Sequence, residues 1–342
     1  MRTDLFDYEL PASSIAQHAI EPRHDARLLV ASNLSEVPFH RLATILEPGD
    51  LLVVNRTKVR AARLIGRRVP TGGKAEILLT KRVDPRYSDE GRWEALLRPA
   101  KKLGVGAVIE CGAITAEVLS DPVEGVATVT LTTGGDIEEA IADAGELPLP
   151  PYFHGSLDSP ERYQTMFAKT VGSSAAPTAS LHFTQQVVDD LVAWGVEFAE
   201  VELLIGLDTF RRMTDGRVED HRIHSERVIV GSDVVDAVER VRETGGRVVA
   251  VGTTVVRSLE SAATSDGRIG TFEDETDLFI KPGYRFGVVD ALITNFHAPR
   301  TSLIVMIAAV LNDRWRTVYD HALKEGFRFL SFGDAMFIEV VR

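Results

Sequence analysis

A helix start that follows an apolar strand is the clearest chemical signal in the sequence. The apolar run Val248–Val251 leads directly into Gly252, Thr253 and Thr254. The first turn of a helix exposes unpaired N–H groups and the positive end of the helix dipole, so it binds carboxylates and phosphates. Gly252 would let such a ligand approach the backbone, and Arg257 would add positive charge. The alternative interpretation is that Thr253 only caps the helix.

Four histidines occupy positions from which a side chain is able to transfer protons near neutral pH. His182 precedes a predicted helix, His297 follows a predicted strand, and His221 and His224 stand three residues apart among carboxylates. For a single histidine, a hydrogen-bonded structural role is the commoner alternative. A metal site formed by His221, His224 and Glu219 is also conceivable, but the flanking residues show no recognised metal-binding spacing. We therefore expect no metal.

Basic side chains cluster between residues 56 and 101, although the whole chain is acidic. Lys and Arg number 38 against 50 Asp and Glu, which gives a net charge of −12. Alternate residues of a strand share one face, so Arg56, Lys58 and Arg60 would form a positive stripe. Such a stripe, extended by Lys74 and Lys101, would suit a phosphate backbone. The alternative is a solvated surface in which these cations are ion-paired.

Several common functions lose support because their motifs are absent. The chain has no GxxxxGK[ST] loop, no GxGxxG after a strand and no GxSxG, which argues against ATP hydrolysis, dinucleotide chemistry and serine hydrolysis. The single cysteine, Cys111, excludes an intrachain disulfide and Cys-based zinc motifs, and it favours the cytoplasm. The longest late apolar stretch, Leu303–Leu311, is too short to span a membrane.

The spacing of apolar residues predicts two kinds of architecture. Closely spaced short strands between residues 75 and 131 predict a small antiparallel β-barrel or sandwich, which a helix over 137–144 would close. Strands and helices alternate over 165–342, which predicts an α/β architecture with a mixed or parallel sheet. Within that region, we predict a helix after Thr184, a helix capped by Ser232, and a strand over Phe327–Ser331.

Short motifs occur in a fixed order from one end of the chain to the other. They are Phe6–Pro11, Pro48–Leu52, Leu97–Lys101, Pro148–Tyr152, Ala175–Ala179, Leu181–Thr184, His221–Glu226, Val251–Thr254, Pro282–Tyr284, Thr294–His297 and Gly333–Met336. Together they resemble the S-adenosylmethionine:tRNA ribosyltransferase-isomerase family of queuosine biosynthesis. The resemblance implies a mixed-sheet α/β domain formed by residues 1–60 and 150–342, with a small antiparallel β-barrel domain, residues 61–149, inserted into it.

The resemblance also implies a reaction. Members of the family consume S-adenosylmethionine as a ribosyl donor, not as a methyl donor, and require no metal. They attach the ribosyl unit to 7-aminomethyl-7-deazaguanine at the wobble position of a tRNA anticodon stem-loop. The unit is isomerised to an epoxycyclopentanediol, and adenine and methionine are released. We accordingly expect a cytoplasmic, monomeric enzyme.

The chemistry of that reaction suggests roles for the candidate residues. The sulfonium acidifies the C5′ hydrogens, so a base in a dry pocket is needed, and adenine leaves best when an imidazolium protonates it. The candidate acids and bases, which the sequence does not rank, are His182, His221, His224 and His297, while Asp334 would hold an amine or a ribose hydroxyl. The expected S-adenosylmethionine contacts are Thr178, Gly252, Thr253, Thr254, Arg257 and Asn295. The expected tRNA contacts are Arg56, Lys58, Arg60, Lys74 and Lys101.

Several positions depart from the usual pattern of the family. Ser180 and Asp208 stand where glycine is usual, Leu204 replaces a histidine, Arg212 replaces a proline, and Arg56 replaces an aspartate. These departures leave two alternatives to the tRNA enzyme. One is a divergent relative that uses S-adenosylmethionine on another acceptor, such as a small molecule. The other is a binding protein that has kept the fold without turnover.

Overall fold

The computed structural model describes residues 1–83, 91–155, 157, 159–206, 212–223 and 225–340. The chain divides into two compact units, one comprising residues 1–58 and 150–342 and the other residues 59–149. Two clusters of buried apolar side chains lie in the first unit, and a third lies in the second. Each unit therefore buries an apolar core of its own.

The regular elements are numbered here in chain order. The strands are β1 (Arg27–Val30), β2 (Ser35–Pro38), β3 (Leu51–Asn55), β4 (Thr57–Val59), β5 (Arg63–Val69), β6 (Lys74–Arg82), β7 (Gly91–Arg98), β8 (Val108–Cys111), β9 (Ile114–Val118), β10 (Val126–Thr132), β11 (Gly145–Glu146), β12 (Thr170–Ser173), β13 (Glu197–Leu203), β14 (Glu226–Val230), β15 (Val248–Val251), β16 (Phe272–Thr276), β17 (Ala291–Asn295) and β18 (Ala335–Glu339). The α-helices are α1 (Ile137–Ala144), α2 (Gln185–Trp194), α3 (Ser232–Glu243), α4 (Thr253–Ser261), α5 (Ser302–Leu311) and α6 (Arg314–Lys324). Among the described residues, no helix combines the length and the apolar character that a membrane crossing requires.

A nine-stranded mixed sheet forms the centre of the larger unit. Its order is β16-β14-β13-β3-β15-β17-β18-β1-β2. The strands β13, β3, β15 and β17 are mutually parallel, whereas β18 runs antiparallel to β17. Alternate residues of the central strands pack against α2 on one face and against α3, α4, α5 and α6 on the other. Burial on both faces is why these strands read as continuous apolar runs.

The parallel strands end at one edge of this sheet. Val251 pairs with Ile293 near the ends of β15 and β17. Asn295, the last residue of β17, pairs with Ala335 at the start of β18. Chain segments that leave β3, β13, β15 and β17 therefore meet at the same edge. Open α/β sheets bind their ligands at this edge, outside the carboxyl ends of the parallel strands.

The smaller unit is a closed antiparallel barrel. Its strands follow the order β5-β6-β7-β10-β9-β8, and β8 pairs back with β5. Helix α1 begins after Asp136, whose carboxylate accepts hydrogen bonds from the backbone N–H groups of Glu138 and Glu139, both at 2.9 Å. The predicted fold class, a mixed-sheet α/β domain with an antiparallel β-barrel, is confirmed.

The structure also corrects details of the sequence prediction. The sequence pattern missed β5, because arginines occupy three of its seven positions. Helix α3 begins at Ser232 itself, so Gly231 is the N-cap. The predicted strand over Phe327–Ser331 is wrong: Phe329 forms only an isolated bridge, and Leu330 turns the backbone with φ at +70°. This segment is apolar because it packs into the core, not because it belongs to the sheet.

Candidate functional site

A cavity of about 640 Å³ lies at the carboxyl edge of the central strands. It is lined by the segments that follow β15 and β17, by the 3₁₀ helix Thr178–His182 and by the turn around Ser331. Among the described lining residues there is no Lys, Arg, Asp or Glu; hydroxyls, one amide and one imidazole supply the polar groups. A concave, largely apolar surface with a few convergent polar groups is typical of small-molecule sites.

The start of α4, residues 252–254, lines this cavity. Gly252 is the N-cap with φ at +98° and ψ at 152°, a conformation that is open essentially to glycine alone. Thr253 is the first helical residue, so the alternative that Thr253 caps the helix is wrong. The buried hydroxyl of Thr254 has no hydrogen-bond partner among the described residues. A buried unpaired hydroxyl is costly, so this one is available to a ligand that enters the cavity.

We expect Thr254→Val to weaken S-adenosylmethionine binding about tenfold without lowering the free energy of unfolding. Valine keeps the shape but removes the hydroxyl, and one hydrogen bond contributes about 0.5–1.5 kcal/mol. Titration calorimetry and urea unfolding measure the two quantities. Thr244→Val, at the end of α3 where the hydroxyl bonds to helix carbonyls, serves as the matched control. An unchanged dissociation constant would remove Thr254 from the site.

Two polar side chains of the cavity hold each other in place. The hydroxyl of Thr178 donates to Oδ1 of Asn295 at 2.9 Å. The amide of Asn295 in turn donates to the carbonyl of Asp334 at 3.4 Å. This chain connects the 3₁₀ helix, the end of β17 and the start of β18. Both residues were expected from the sequence to contact S-adenosylmethionine, and both line the cavity.

His297 lies in the cavity wall as a neutral imidazole. Its Nε2 lies 3.0 Å from the hydroxyl oxygen of Thr294. Its backbone is anchored by Tyr8, which donates to the carbonyl at 2.5 Å, and by Tyr319, whose oxygen accepts from the N–H at 3.0 Å. Burial lowers the pKa of His297 to about 3. The ring is therefore neutral near pH 7 and is not the imidazolium donor considered from the sequence.

His182 connects two backbone segments instead of lining the main cavity. Its two ring nitrogens each lie 3.0 Å from a carbonyl oxygen, that of Ala179 and that of Gly333. The ring is buried and stacks on Phe39 with centroids 5.0 Å apart. Burial, the largest effect, lowers the pKa of His182, and the two carbonyls and Asp334 oppose that shift. This geometry favours a positioning role.

Asp334 and Arg257 are engaged inside the protein. The buried carboxylate of Asp334 accepts from the backbone N–H of Arg27 at 3.1 Å and from that of Arg328 at 2.8 Å. Arg257 forms a buried ion pair with Glu226 and also donates to the carbonyls of Thr276 and Leu278. These contacts join α4 to β14 and to the end of β16. Neither side chain lines the cavity, so both hold its surroundings in place.

The remaining predicted acids and bases lie apart from the cavity or cannot be placed. His221 lies 3.2 Å from a carboxylate oxygen of Asp215, and its ring packs edge-on against Phe279. His224 lies outside the described residues. Within the described part of the chain, His24, Asp25 and His40 bring three possible metal-ligand atoms within 4.8 Å of one another. These are different histidines from those whose spacing suggested a metal site.

The residues that depart from the family pattern are not in the described cavity lining. Ser180 is buried and its hydroxyl has no partner among the described residues. Leu204 packs over Gly172, where an added Cβ would lie 3.0 Å from Cδ2 of Leu204. Arg56 donates through Nε and Nη2 to Glu202 at 2.8 and 2.6 Å. Asp208 lies outside the described residues.

The five basic residues expected to contact tRNA divide into two kinds. Arg56 is ion-paired as described above, and Arg60 pairs with Glu138 at 3.1 Å while its guanidinium lies over the ring of Trp93. The ion-paired alternative therefore holds for these two arginines. Lys58, Lys74 and Lys101 are exposed at the surface of their respective units.

Sequence reasoning missed Tyr152 as a cavity residue. Its hydroxyl lies 2.5 Å from that of Ser331, and both residues line the cavity. Burial raises the pKa of Tyr152 to about 12, so the phenol keeps its proton and is able to donate. The available signal was its place at the end of the proline-rich motif Pro148–Tyr152.

Fold and cavity together define an α/β protein with a small-molecule site at the carboxyl edge of its sheet. A family model described as a queuosine biosynthesis protein matches residues 3–338. The chain therefore belongs to the queuosine biosynthesis protein family, and the resemblance inferred from its motifs is confirmed.

Named relatives extend over the full chain. The S-adenosylmethionine:tRNA ribosyltransferase-isomerase of Symbiobacterium thermophilum is 44% identical, over 99% of this chain and 100% of the relative. The protein of the same name from Clostridioides difficile is 42% identical over the same shares. The crystal structure of S-adenosylmethionine tRNA ribosyltransferase from Thermotoga maritima is 35% identical and matches with a TM-score of 0.54, covering 97% of this chain and 99% of that one.

Proposed function

We propose that this chain transfers and isomerises the ribosyl unit of S-adenosylmethionine onto 7-aminomethyl-7-deazaguanine at the tRNA wobble position. The observation that supports this most directly is convergence: three motifs of the family resemblance, around residues 178, 253 and 296, line one cavity. Full-length relatives that carry the name of this activity support the same proposal. The products are epoxyqueuosine in the tRNA, adenine and methionine, and the reaction takes place in the cytoplasm.

The start of α4 is the proposed binding point for the methionine carboxylate or a ribose hydroxyl. The N–H groups of its first turn and the hydroxyl of Thr254 offer donors without a formal positive charge. This suits a substrate whose sulfonium already carries one positive charge. Because no charged side chain is among the described lining residues, the fixed dipoles of the helix and of Asn295 act in a medium of low polarity.

His297 is proposed to position the bound nucleoside as a neutral imidazole. Because its pKa is about 3, the ring is uncharged throughout the neutral range and is too weak a base to remove a C5′ hydrogen. A bound sulfonium disfavours protonation of the ring further, so the ring acts as a hydrogen-bonding group. Tyr152 keeps its proton in the same cavity and is placed to donate a hydrogen bond to a departing or attacking group.

The alternatives suggested by the residues that differ from the family pattern are less favoured. Ser180 and Leu204 are absent from the described lining, and Arg56 is paired with Glu202. The described cavity therefore shows no feature that would favour a small-molecule acceptor over tRNA. The relatives that match this chain over its whole length are named for tRNA.

We expect the protein to release adenine from S-adenosylmethionine only when tRNA carrying the aminomethyl base is present. Chromatographic quantification of adenine, with mass spectrometry of the digested tRNA, measures both products of the reaction. Unmodified tRNA with guanine at the wobble position is the matched control and should yield none. Absence of adenine release with the modified tRNA would overturn the proposal, and release without tRNA would favour the small-molecule alternative.

A further inference from the structure

A second cavity, of about 290 Å³, adjoins the first and is rich in arginine. Arg23, Arg162 and Arg328 line it, together with His182. Ser331 lines both cavities, and the 3₁₀ helix Thr178–His182 contributes residues to each of them. Three guanidinium groups around one small cavity are unusual in a chain with a net charge of −12.

The charges of these arginines are incompletely balanced. Arg23 donates to the backbone carbonyls of Gln164 and Glu161 at 2.8 and 2.9 Å, and in the described chain no carboxylate is ion-paired with it. Arg162 is paired with Glu21, a carboxylate that is 63% exposed. Burial and then the like charge of Arg162 lower the pKa of Arg23, while the carboxylate of Glu21 opposes this shift. A further negative charge in the cavity would relieve this repulsion.

The third arginine is held by the loop that shapes the first cavity. Arg328 donates to Oδ1 of Asp334 at 3.3 Å and to the carbonyl of His18 at 3.2 Å. Asp334 uses its other oxygen for a backbone N–H, so the pair is fixed in orientation. A guanidinium has five N–H donors, so each arginine retains donors beyond the one or two bonds described here. Arginine forks bind phosphate oxygens strongly because two donors lie in one plane.

We propose that Arg23, Arg162 and Arg328 bind a backbone phosphate of the RNA substrate next to the nucleotide whose base enters the first cavity. This inference rests on the proposed function, because it assigns the anion to tRNA. Enzymes that modify a base extrude its nucleotide from the stack, and the flanking backbone must then be held against the protein. A phosphate site that shares Ser331 with the first cavity meets this requirement.

The test is the salt dependence of binding to an anticodon hairpin RNA. Each phosphate contact contributes about 0.7–0.9 to the slope of log affinity against log salt. We expect Arg23→Gln to reduce that slope by about one contact and to weaken hairpin binding about fivefold to tenfold at low salt. Arg240→Gln is the control. Arg240 is 55% exposed and pairs with Glu197, the first residue of β13, which lies at the other end of that strand from the carboxyl edge of the sheet. An Arg23→Gln variant with the wild-type slope would overturn the proposal.

Two further measurements separate the possible causes of failure. S-adenosylmethionine affinity should be the same in Arg23→Gln and in the wild type, whereas a parallel loss would show that Arg23 is structural. Inorganic phosphate should raise the thermal midpoint of the wild type more than that of Arg23→Gln. A phosphate effect without a change in the hairpin slope would identify a free anion as the ligand and overturn the RNA assignment. Failure of the proposed function itself would show separately, as a wild type that binds the hairpin but releases no adenine.

Discussion

His297→Gln is expected to lower kcat for adenine release about 10²-fold, because it removes a buried ring that positions the bound nucleoside. Binding of S-adenosylmethionine should change only a few-fold, because glutamine retains a polar group beside Thr294. Single-turnover adenine release at saturating tRNA measures this effect. His40→Gln, at a histidine that is 36% exposed, is the matched control and should retain full activity.

The pH dependence provides an independent check on the role of His297. Its pKa of about 3 in the folded protein lies below the ordinary value of 6.5, so the unfolded chain binds more protons between these values. The stability that the neutral ring contributes is thus present above pH 6.5 and is lost progressively as the pH falls toward 3. As the pH rises from 6.5 to 8, we expect His297 to cause no decrease in kcat. A loss of this kind, absent from His297→Gln, would show that the imidazolium is the active form.

The second large effect is expected at the buried ion pair beneath the cavity. Arg257→Met should lower the free energy of unfolding by about 3–5 kcal/mol, because it removes one charge of a buried ion pair and leaves the other buried. Only 8% of the Arg257 side chain and 6% of the Glu226 side chain are exposed. Urea unfolding followed by circular dichroism measures the change.

Matched variants distinguish a buried pair from a general loss of charge. Arg240→Met breaks the exposed pair with Glu197 and should cost only about 0–1 kcal/mol. The double variant Arg257→Met with Glu226→Leu should recover much of the lost stability, since neither charge is then left unpaired. Equal losses in Arg257→Met and Arg240→Met would contradict the structural role assigned to Arg257.

Local patterns predicted the elements of the fold well where a residue acts through its neighbours in sequence. The helix over Ile137–Ala144 has the predicted bounds, and α2 begins directly after Thr184. Even there, the hydroxyl of Thr184 bonds to His24 instead of capping α2. The apolar segment Phe327–Ser331 was mistaken for a strand because hydrophobic character alone does not distinguish core packing from strand pairing.

The sequence by itself determined the family, the alternation of strands and helices, and the Gly252–Thr254 helix start, because each depends on residues adjacent in the chain. Only the tertiary structure decided which polar residues face the cavity. Burial and long-range partners assign His297 to the cavity wall, Arg257 to an ion pair with Glu226, and His182 to two carbonyls. It likewise brought Arg23 and Arg328 to one cavity from opposite ends of the chain. These roles depend on contacts between distant segments, which only the folded chain brings together.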